Sequence, residues 1–343
     1  MEELAFRPAA KSFIFVIHAG FSPRGICCFK PHPALTNYNR RMRAPYRWQL
    51  RSRALNLGPR TLIMGVVNVT PDSFSDGGRF FDAPRAIAHA LQLLDEGAGI
   101  LDIGGESTRP GTRVLPDEAG HKPVVTEHEE LRRVMPVIEG LLQARPDAIV
   151  SIDTYKSEVA RRAIAAGAEI VNDVSAFQWD DSMARTCAEL QCGVVLMHTR
   201  GQPAEWRHQP PASDITSLVV HDLANRAQAA LDSGVERERI ALDPGFGFGK
   251  NFEENYPLLA RFDPLQALGF PLLAGTSRKS FVGRTIGKCR GGEDAPADQR
   301  LYGSLAAMVA TILCGAHIVR VHDVRPAVEA AAIADEILAA EAG

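Results

Sequence analysis

The chain has 343 residues, of which 45% are hydrophobic and 23% charged, the composition of an ordinary globular protein. Its net charge is −3, so the chain as a whole does not attract phosphate backbones, and we expect no nucleic-acid partner. No apolar run approaches the ~18 residues of a membrane span, and the six cysteines lack zinc or disulfide spacing. These features predict a cytoplasmic protein that does not bind membranes.

The first 41 residues differ from the rest of the chain. They contain six basic and two acidic side chains, a net charge of +4, which leaves −7 for the remainder. This segment is either a targeting or partner-binding arm, or an extension ahead of an alternative initiator at Met42. We predict a poorly ordered basic extension over residues 1–41, a lead-in over 42–60 and one domain over 61–343.

From Thr61 onward, short apolar runs alternate with longer segments whose apolar residues recur at helical spacing. The runs are near-continuous Val, Ile and Leu, which is typical of parallel strands covered on both faces. Eight such units in about 280 residues predict an α/β fold, a (β/α)8 TIM barrel, with a doubly wound sheet as the alternative. The runs lie at 61–69, 99–103, 148–153, 169–173, 193–198, 240–243, 271–275 and 317–322.

Polar residues follow the carboxyl end of every run. In a barrel these ends share one rim, which is where barrel enzymes build their sites. Any single Asp or Asn there could be a helix cap or turn former, but capping explains eight of eight strands poorly. The residues are Asn68, Glu106, Thr108, Asp153, Asn172, Asp173, His198, Asp243, Ser277, Arg278, Lys279, Arg320 and His322.

The residue types indicate a flat heterocycle as one ligand. Asp153, Asp243 and Asn172 could bind adjacent N–H donors, because a carboxylate accepts two parallel hydrogen bonds. Lys279 would suit a ring oxygen or nitrogen of the same ligand.

The remaining rim residues indicate a phosphorylated group. Arg320 and His322 are two apart on the last strand, so both side chains can face the rim and bind an anion. Asn68 offers a neutral oxygen to Mg²⁺, which usually takes further ligands from water and substrate phosphates. A heterocycle carrying a Mg²⁺-bound diphosphate is therefore the predicted substrate.

Other motif classes are absent. The string DPGFGFGK (243–250) matches neither the dinucleotide fingerprint nor the phosphate-binding loop, and no nucleophile elbow occurs. Covalent catalysis is not indicated.

Seven strings resemble the dihydropteroate synthases. The resemblance extends from about Trp48 to the C-terminus, with the motifs in the family's order. The strings are MGVVNVTPDSFSDGG (64–78), DIGGESTRPG (102–111), SIDTYK (151–156), IVNDVSA (170–176), DPGFGFGK (243–250), GTSRKSFVG (275–283) and RVHDV (320–324).

This resemblance implies an enzyme of folate biosynthesis. Such an enzyme condenses (7,8-dihydropterin-6-yl)methyl diphosphate with p-aminobenzoate to give 7,8-dihydropteroate and diphosphate, and it uses Mg²⁺ and forms a homodimer through helices near the C-terminus. The implied mechanism is a dissociative substitution, with the loops at 70–78 and after Thr108 closing over the site.

The resemblance also assigns roles to matching positions. Asn68 would bind Mg²⁺, and Asn68, Lys279, Arg320 and His322 would be the catalytic set. Asp153, Asn172, Asp243 and Lys279 would bind the pterin, flanked by Met197 and Gly275. The diphosphate would be bound by Arg320, Val321 and His322, together with Thr108 and Arg109. The aminobenzoate side would be formed by Phe248, Pro110 and Ser280.

The sequence departs from the family's usual pattern at two places, and two alternative functions remain open. The stretch 111–127 is longer than the family's usual loop, and residues before Met42 have no counterpart in the family core. A corrinoid-type pterin methyltransferase would share the barrel but not require the Arg320 and His322 pair. A non-catalytic pterin-binding barrel would be expected to lack Asn68, Lys279 or Arg320.

Overall fold

The structure is a computed structural model that describes residues 43–70, 82–108, 112–114 and 125–340. The predicted extension over 1–41 lies outside the described residues, as do most of the predicted closing loop at 70–78 and most of the stretch 111–127.

Eight parallel strands form a closed barrel, which confirms the predicted fold and excludes the doubly wound sheet. The strands are β3 (Leu62–Asn68), β4 (Ile100–Gly104), β5 (Val150–Asp153), β6 (Ile170–Asp173), β7 (Gly193–Met197), β8 (Ile240–Asp243), β9 (Leu273–Ala274) and β10 (Ile318–Val321). Neighbouring strands pair in the order β8-β7-β6-β5-β4-β3-β10-β9, and a parallel bridge between Leu242 and Leu272 joins the two ends. Each of the eight predicted runs overlaps one strand.

Helices cover the outside of the barrel. The first helix buries Ala86, Ala90 and Leu93 in the core between strands and helices. The helix itself starts where the Asp82 carboxylate accepts a hydrogen bond from the Arg85 N–H. In the described part of the chain the helices are α1 (Ala83–Asp95), α2 (Glu127–Ala144), α3 (Ser157–Ala165), α4 (Met183–Leu190), α5 (Ile215–Asp232), α6 (Phe252–Ala260), α7 (Asp263–Gln266), α8 (Ser280–Arg290), α9 (Leu301–Leu313) and α10 (Val324–Ala340).

Successive side chains of a barrel strand lie in two different environments, the barrel interior and the core between strands and helices. On β10, Val319 and Val321 pack in the large core between strands and helices, whereas Ile318 packs in the barrel interior. Because side chains alternate along a strand, Arg320 faces inward like Ile318. β6 and β8 follow the same pattern as β10, with Ile170 and Ala241 in the barrel interior and Asn172 and Asp243 two residues later on the same face.

A hairpin closes the amino-terminal end of the barrel, a feature that the sequence analysis did not predict. It consists of antiparallel β1 (Tyr46–Gln49) and β2 (Ala54–Leu57). Trp48 is fully buried against the first inward residues of the barrel strands, and its indole Nε1 donates to the Arg239 carbonyl at 2.9 Å. The polar rim thus lies at the opposite end of the barrel from the hairpin.

Candidate active site

Four barrel strands place residues near their carboxyl ends in one row at the rim. Backbone pairing aligns Asn68 with Gly104, Gly104 with Asp153, and Asp153 with Asn172. Residues in register on neighbouring parallel strands face the same side of the sheet, so these positions share the inner face. Three residues that were predicted to meet at the rim therefore lie in one row, with Asp153 next to Asn172 and Gly104 between Asn68 and Asp153.

Arg320 lies at the centre of a buried ion-pair network. Its Nε donates to Asp102 Oδ2 at 2.6 Å, and its Nη2 donates to Asp153 Oδ2 at 2.7 Å. The same Asp102 oxygen accepts from Asn172 Nδ2 at 3.0 Å. Burial alone would lower the pKa of Arg320, but Asp102 and Asp153 raise it above its usual value, so the guanidinium stays charged. The predicted anion-binding and ring-binding residues thus form one connected network.

Asp102 is the member of this network that sequence reasoning missed. It lies inside the apolar run of β4, whereas the sequence analysis names only Glu106 and Thr108, which follow that run. Its side chain is fully buried, and its Oδ1 has no hydrogen-bond partner among the described residues. The signal in the sequence was an acidic residue within an apolar run. Asp102 lies two residues after Ile100, and because Ile100 faces the barrel interior, Asp102 faces it as well.

The Asp153 carboxyl group has an unusual ionisation equilibrium. Burial, with a smaller contribution from the neighbouring Asp102, raises its pKa to about 7, because together they outweigh the opposing charge of Arg320. Strong displacement by burial beside a specific partner is typical of functional carboxyl groups.

Asp243, Gly275 and Lys279 form the other side of the rim. Asp243 Oδ1 accepts from the Gly245 N–H at 2.7 Å, and burial raises the pKa of Asp243 despite this bond and the nearby Lys279. A Cβ atom on Gly275 would lie 3.9 Å from both Asp243 Oδ2 and Arg320 Cβ, so this glycine separates the two side chains. Burial and the Arg320 charge lower the pKa of Lys279 to about 7.

An aromatic wall stands beside these polar groups. The Lys279 Nζ lies 3.8 Å from the centroid of the Phe248 ring, and Trp206 meets the same ring edge-on at a centroid distance of 5.1 Å. Met197 is buried in a cluster with Tyr155, against which Phe248 also packs. The rim therefore combines a polar floor with an apolar side that suits a flat ring.

His322 contacts Ser277 through both its backbone and its ring. The Ser277 hydroxyl oxygen accepts from the His322 backbone N–H at 3.2 Å and lies 3.1 Å from its Nδ1. Burial and the Arg320 charge lower the pKa of His322 to about 3, so the ring is neutral. In the tautomer in which the Ser277 hydroxyl donates to Nδ1, the Nε2 atom carries the ring hydrogen and can donate to a ligand.

Three residues named in the sequence analysis have other surroundings. Asp173 accepts from the Phe177 N–H at 2.9 Å and stabilises the turn after β6. His198 is buried, with its Nε2 3.2 Å from Asp222 Oδ2. Val321 packs between strands and helices, because it alternates with the inward Arg320, so its side chain does not line the rim.

Thr108 and Ser280 lie at the edges of the described site. Thr108 is half-buried on a loop anchored by Glu106, whose Oε2 accepts from Lys156 Nζ at 2.6 Å. Ser280 is exposed at the first residue of α8. The predicted contacts of Arg109, and of Pro110 after it, fall outside the described residues.

The oxygen and nitrogen ligands at the rim determine which metal ion it could hold. Asn68 is exposed at the end of β3, with its amide oxygen available at the rim. No group of three or more His, Cys, Asp or Glu side chains in the described part of the chain could hold a metal ion. Asn68 therefore fits an ion that takes most of its ligands from water and a diphosphate, as Mg²⁺ usually does.

Comparison with known proteins places these features in a family. A family model described as pterin binding enzyme matches residues 64–322. The dihydropteroate synthase of Clostridium beijerinckii is 40% identical over 288 residues, covering 84% of this chain and 98% of that protein. The Xanthomonas albilineans dihydropteroate synthase with 4-aminobenzoic acid is 42% identical, with a TM-score of 0.74 and coverage of 86% of this chain and 98% of that one. In complex with 7,8-dihydropteroate, that enzyme gives 40% identity, a TM-score of 0.71 and coverage of 85% and 98%.

Proposed function

The chain belongs to the dihydropteroate synthase family of pterin-binding enzymes, and we propose that the barrel rim described above is where its two substrates react. It is a transferase of folate biosynthesis that condenses (7,8-dihydropterin-6-yl)methyl diphosphate with p-aminobenzoate to 7,8-dihydropteroate and diphosphate. One observation supports this location: Arg320, Asp102, Asp153 and Asn172 form a single hydrogen-bonded network. The network places carboxylates that can bind the pterin next to the guanidinium group that can bind the diphosphate.

In the proposed complex the pterin ring enters the barrel. Asp153, Asn172 and Asp243 accept hydrogen bonds from its N–H edge, and Lys279 donates to a ring oxygen or nitrogen. Met197 covers one face of the ring. Gly275 leaves space beside Asp243 that a larger residue would fill.

The diphosphate lies toward the outer part of the rim. Arg320 supplies a fixed positive charge, His322 donates through Nε2, and Thr108 and Arg109 add hydrogen bonds from the loop after β4. Val321 lies between Arg320 and His322, and its backbone places both of them at the rim. Its own side chain faces the core between strands and helices.

Asn68 would hold Mg²⁺ against the diphosphate. When bound, the ion neutralises charge on the phosphate oxygens and improves diphosphate as a leaving group. Because the described residues offer one neutral amide oxygen there, from Asn68, the metal is expected to arrive with the substrate.

The reaction then proceeds as a dissociative substitution. The bond between the pterin methylene carbon and the diphosphate oxygen breaks, and its electron pair leaves with the diphosphate beside Arg320 and His322. The electron-rich pterin stabilises the resulting cation. The lone pair of the aniline nitrogen forms the new carbon–nitrogen bond, and that nitrogen loses a proton to solvent.

The aminobenzoate side is the aromatic wall. Phe248 presents its ring next to Lys279, and Ser280 lies at the adjoining N-terminus of α8, where backbone N–H groups favour a carboxylate. Pro110, beyond the described residues, is proposed to complete this side.

The assembly is proposed to be a cytoplasmic homodimer. Tyr302 on α9 is 84% exposed, and Ile333 on α10 is 66% exposed, so these helices carry large apolar side chains at the surface. No helix within the described ranges is long and apolar enough to cross a membrane. Cys187 and Cys192 are free and buried, which suits a reducing compartment.

The test is the condensation of p-aminobenzoate with the pterin diphosphate, measured with and without Mg²⁺. We expect dihydropteroate and diphosphate in equal amounts, and a strong loss of rate in excess chelator. Diphosphate release without dihydropteroate, or no turnover, would contradict the proposal.

A further inference from the structure

The loop over 243–250 is built around three glycines that place Phe248 in the aromatic wall. Gly245, Gly247 and Gly249 have φ values of +66°, +84° and +67°, the left-handed region that glycine tolerates. A Cβ atom on Gly245 would lie 2.0 Å from the His198 carbonyl oxygen, so the loop packs against the end of β7 without spare room. The alternate residue Phe246 is fully buried in the core, while Phe248 faces the rim.

The side chain of Lys250 fills the centre of this loop. Its Nζ donates to the Gly245 carbonyl at 2.7 Å and to the Phe248 carbonyl at 3.3 Å. The His198 carbonyl oxygen lies 3.4 Å and the His198 Nδ1 2.9 Å from the same atom. Lys250 is only 7% exposed, and it makes no ion pair with the acidic side chains that the structure describes. The loop therefore contains its own cation, bound by carbonyl oxygens and one imidazole.

The neighbouring histidine is arranged to accept from Lys250. Burial and the Lys250 charge lower the pKa of His198 to about 4, so its ring is neutral. Its Nε2 lies 3.2 Å from Asp222 Oδ2 and therefore carries the hydrogen, which leaves the Nδ1 lone pair for Lys250. Burial lowers the pKa of Lys250 to about 7, and both the ammonium and the amine retain N–H donors for the loop.

Lys250 is too deeply enclosed to meet a substrate, but it contacts the backbone of a residue that would. The Phe248 carbonyl is one of its acceptors, and the Phe248 ring lies between the Lys279 Nζ and the Trp206 edge. We propose that Lys250 is a positioning residue that fixes the Phe248 ring for p-aminobenzoate. This inference rests on the proposed function and adds a residue to its aminobenzoate side.

Replacing Lys250 should affect one substrate more than the other. Without its N–H donors, the buried carbonyls of Gly245 and Phe248 lose their partner, and the loop must shift to find new ones. A displacement of Phe248 by about an ångström would raise the KM for p-aminobenzoate about tenfold or more. The KM for the pterin diphosphate should rise less, since Asp153 and Asn172 belong to other strands and keep their contacts with Arg320 and Asp102.

The experiment compares Lys250→Met, which removes the donors, with Lys250→Gln, which keeps two donors on a shorter side chain. Initial rates are measured with each substrate varied at saturating concentration of the other, and melting temperatures are recorded for both variants. Lys288→Met, an exposed lysine on α8, is the matched control and should leave both KM values unchanged.

A double-mutant cycle tests whether Lys250 acts through Phe248. Phe248→Leu should raise the KM for p-aminobenzoate, and adding Lys250→Met should raise it little further. Additive effects, an equal rise in both KM values, or failure of both Lys250 variants to fold would overturn the positioning role. Absence of turnover in the wild-type enzyme would instead contradict the proposed function, and the inference with it.

Discussion

At the scale of single residues, the rim depends on charges that are buried together. Arg320 could be predicted from its spacing to His322, but its bonds to Asp102 and Asp153 depend on which way three separate strands face. Sequence alone gives residue types in order along the chain, whereas this network joins positions up to 218 residues apart. The pairing explains how a cation stays fixed beside a pterin site.

Asp102 should therefore matter for catalysis even though the proposed substrate contacts lie on its neighbours. Asp102→Asn removes the charge that holds Arg320 Nε, so we expect kcat/KM for the pterin diphosphate to fall about 100-fold, or about 2.7 kcal/mol. Steady-state kinetics checks this. Ser151→Ala, which deletes a buried hydroxyl without a described partner one strand away, is the control and should stay near wild type.

Lys279 gives the free enzyme a predictable pH dependence of stability. Burial, with Arg320, holds its folded pKa at about 7, below the ordinary 10.5. The folded protein therefore favours the neutral amine of Lys279. The resulting contribution to stability is fully present above about pH 10.5, the pKa of Lys279 in the unfolded chain, and it is lost as the pH falls through about 7. Lys279→Met removes the buried charge, so its melting temperature relative to wild type should rise between about pH 9 and pH 6. A difference that stays constant or shrinks would contradict the assigned burial of this ammonium.

At the scale of elements, the eight barrel strands were predictable and the hairpin was not. The barrel strands are apolar runs buried on both faces, a pattern that is visible without the structure. The hairpin strands YRWQ and ALNL have four residues each and mix exposed with buried positions. The hairpin is stabilised by Trp48 and Leu50, which pack against the amino-terminal end of the barrel. The strands that they contact lie far along the chain.

The hairpin should support stability rather than catalysis. Trp48→Ala deletes a fully buried indole and should cost about 3–5 kcal/mol, seen as a lower midpoint of denaturation. At temperatures where the variant remains folded, kcat/KM should stay within about twofold, because the rim is at the opposite end. Arg47→Ala, an exposed position on the same hairpin, should change neither quantity. A selective loss of activity in Trp48→Ala would contradict this division.

At the scale of the whole molecule, Arg43 connects the lead-in to distant parts of the chain. This buried residue donates to Thr61 Oγ1 at 2.7 Å and to the Ala316 carbonyl at 3.0 Å, and it forms an ion pair with Asp335 on α10. Thr61 and Ala316 precede the first and last strands of the barrel, β3 and β10. The boundary at residue 42 between the extension and the lead-in stays a prediction.

A chain that begins at Met42 should therefore keep kcat/KM within about twofold and its melting temperature within about 2 °C. In that chain, Arg43→Met leaves the buried Asp335 carboxylate without its cation, at a cost of about 3 kcal/mol, or roughly 5–10 °C. Calorimetry of the full chain and the two shorter ones checks both points. A large loss on removing residues 1–41 would show that this segment stabilises the barrel.

The proposed rim has two halves, one for the pterin ring and one for the diphosphate, and ligand binding can separate them. Calorimetric titration would compare the pterin diphosphate with the corresponding hydroxymethyl pterin, which lacks the diphosphate, in wild type, Lys279→Ala and His322→Ala. We expect Lys279→Ala to weaken both ligands. His322→Ala should weaken the diphosphate ester about tenfold, or about 1.4 kcal/mol, and leave the alcohol within about twofold. Equal weakening of both ligands by His322→Ala, or wild-type affinity in both variants, would contradict the site.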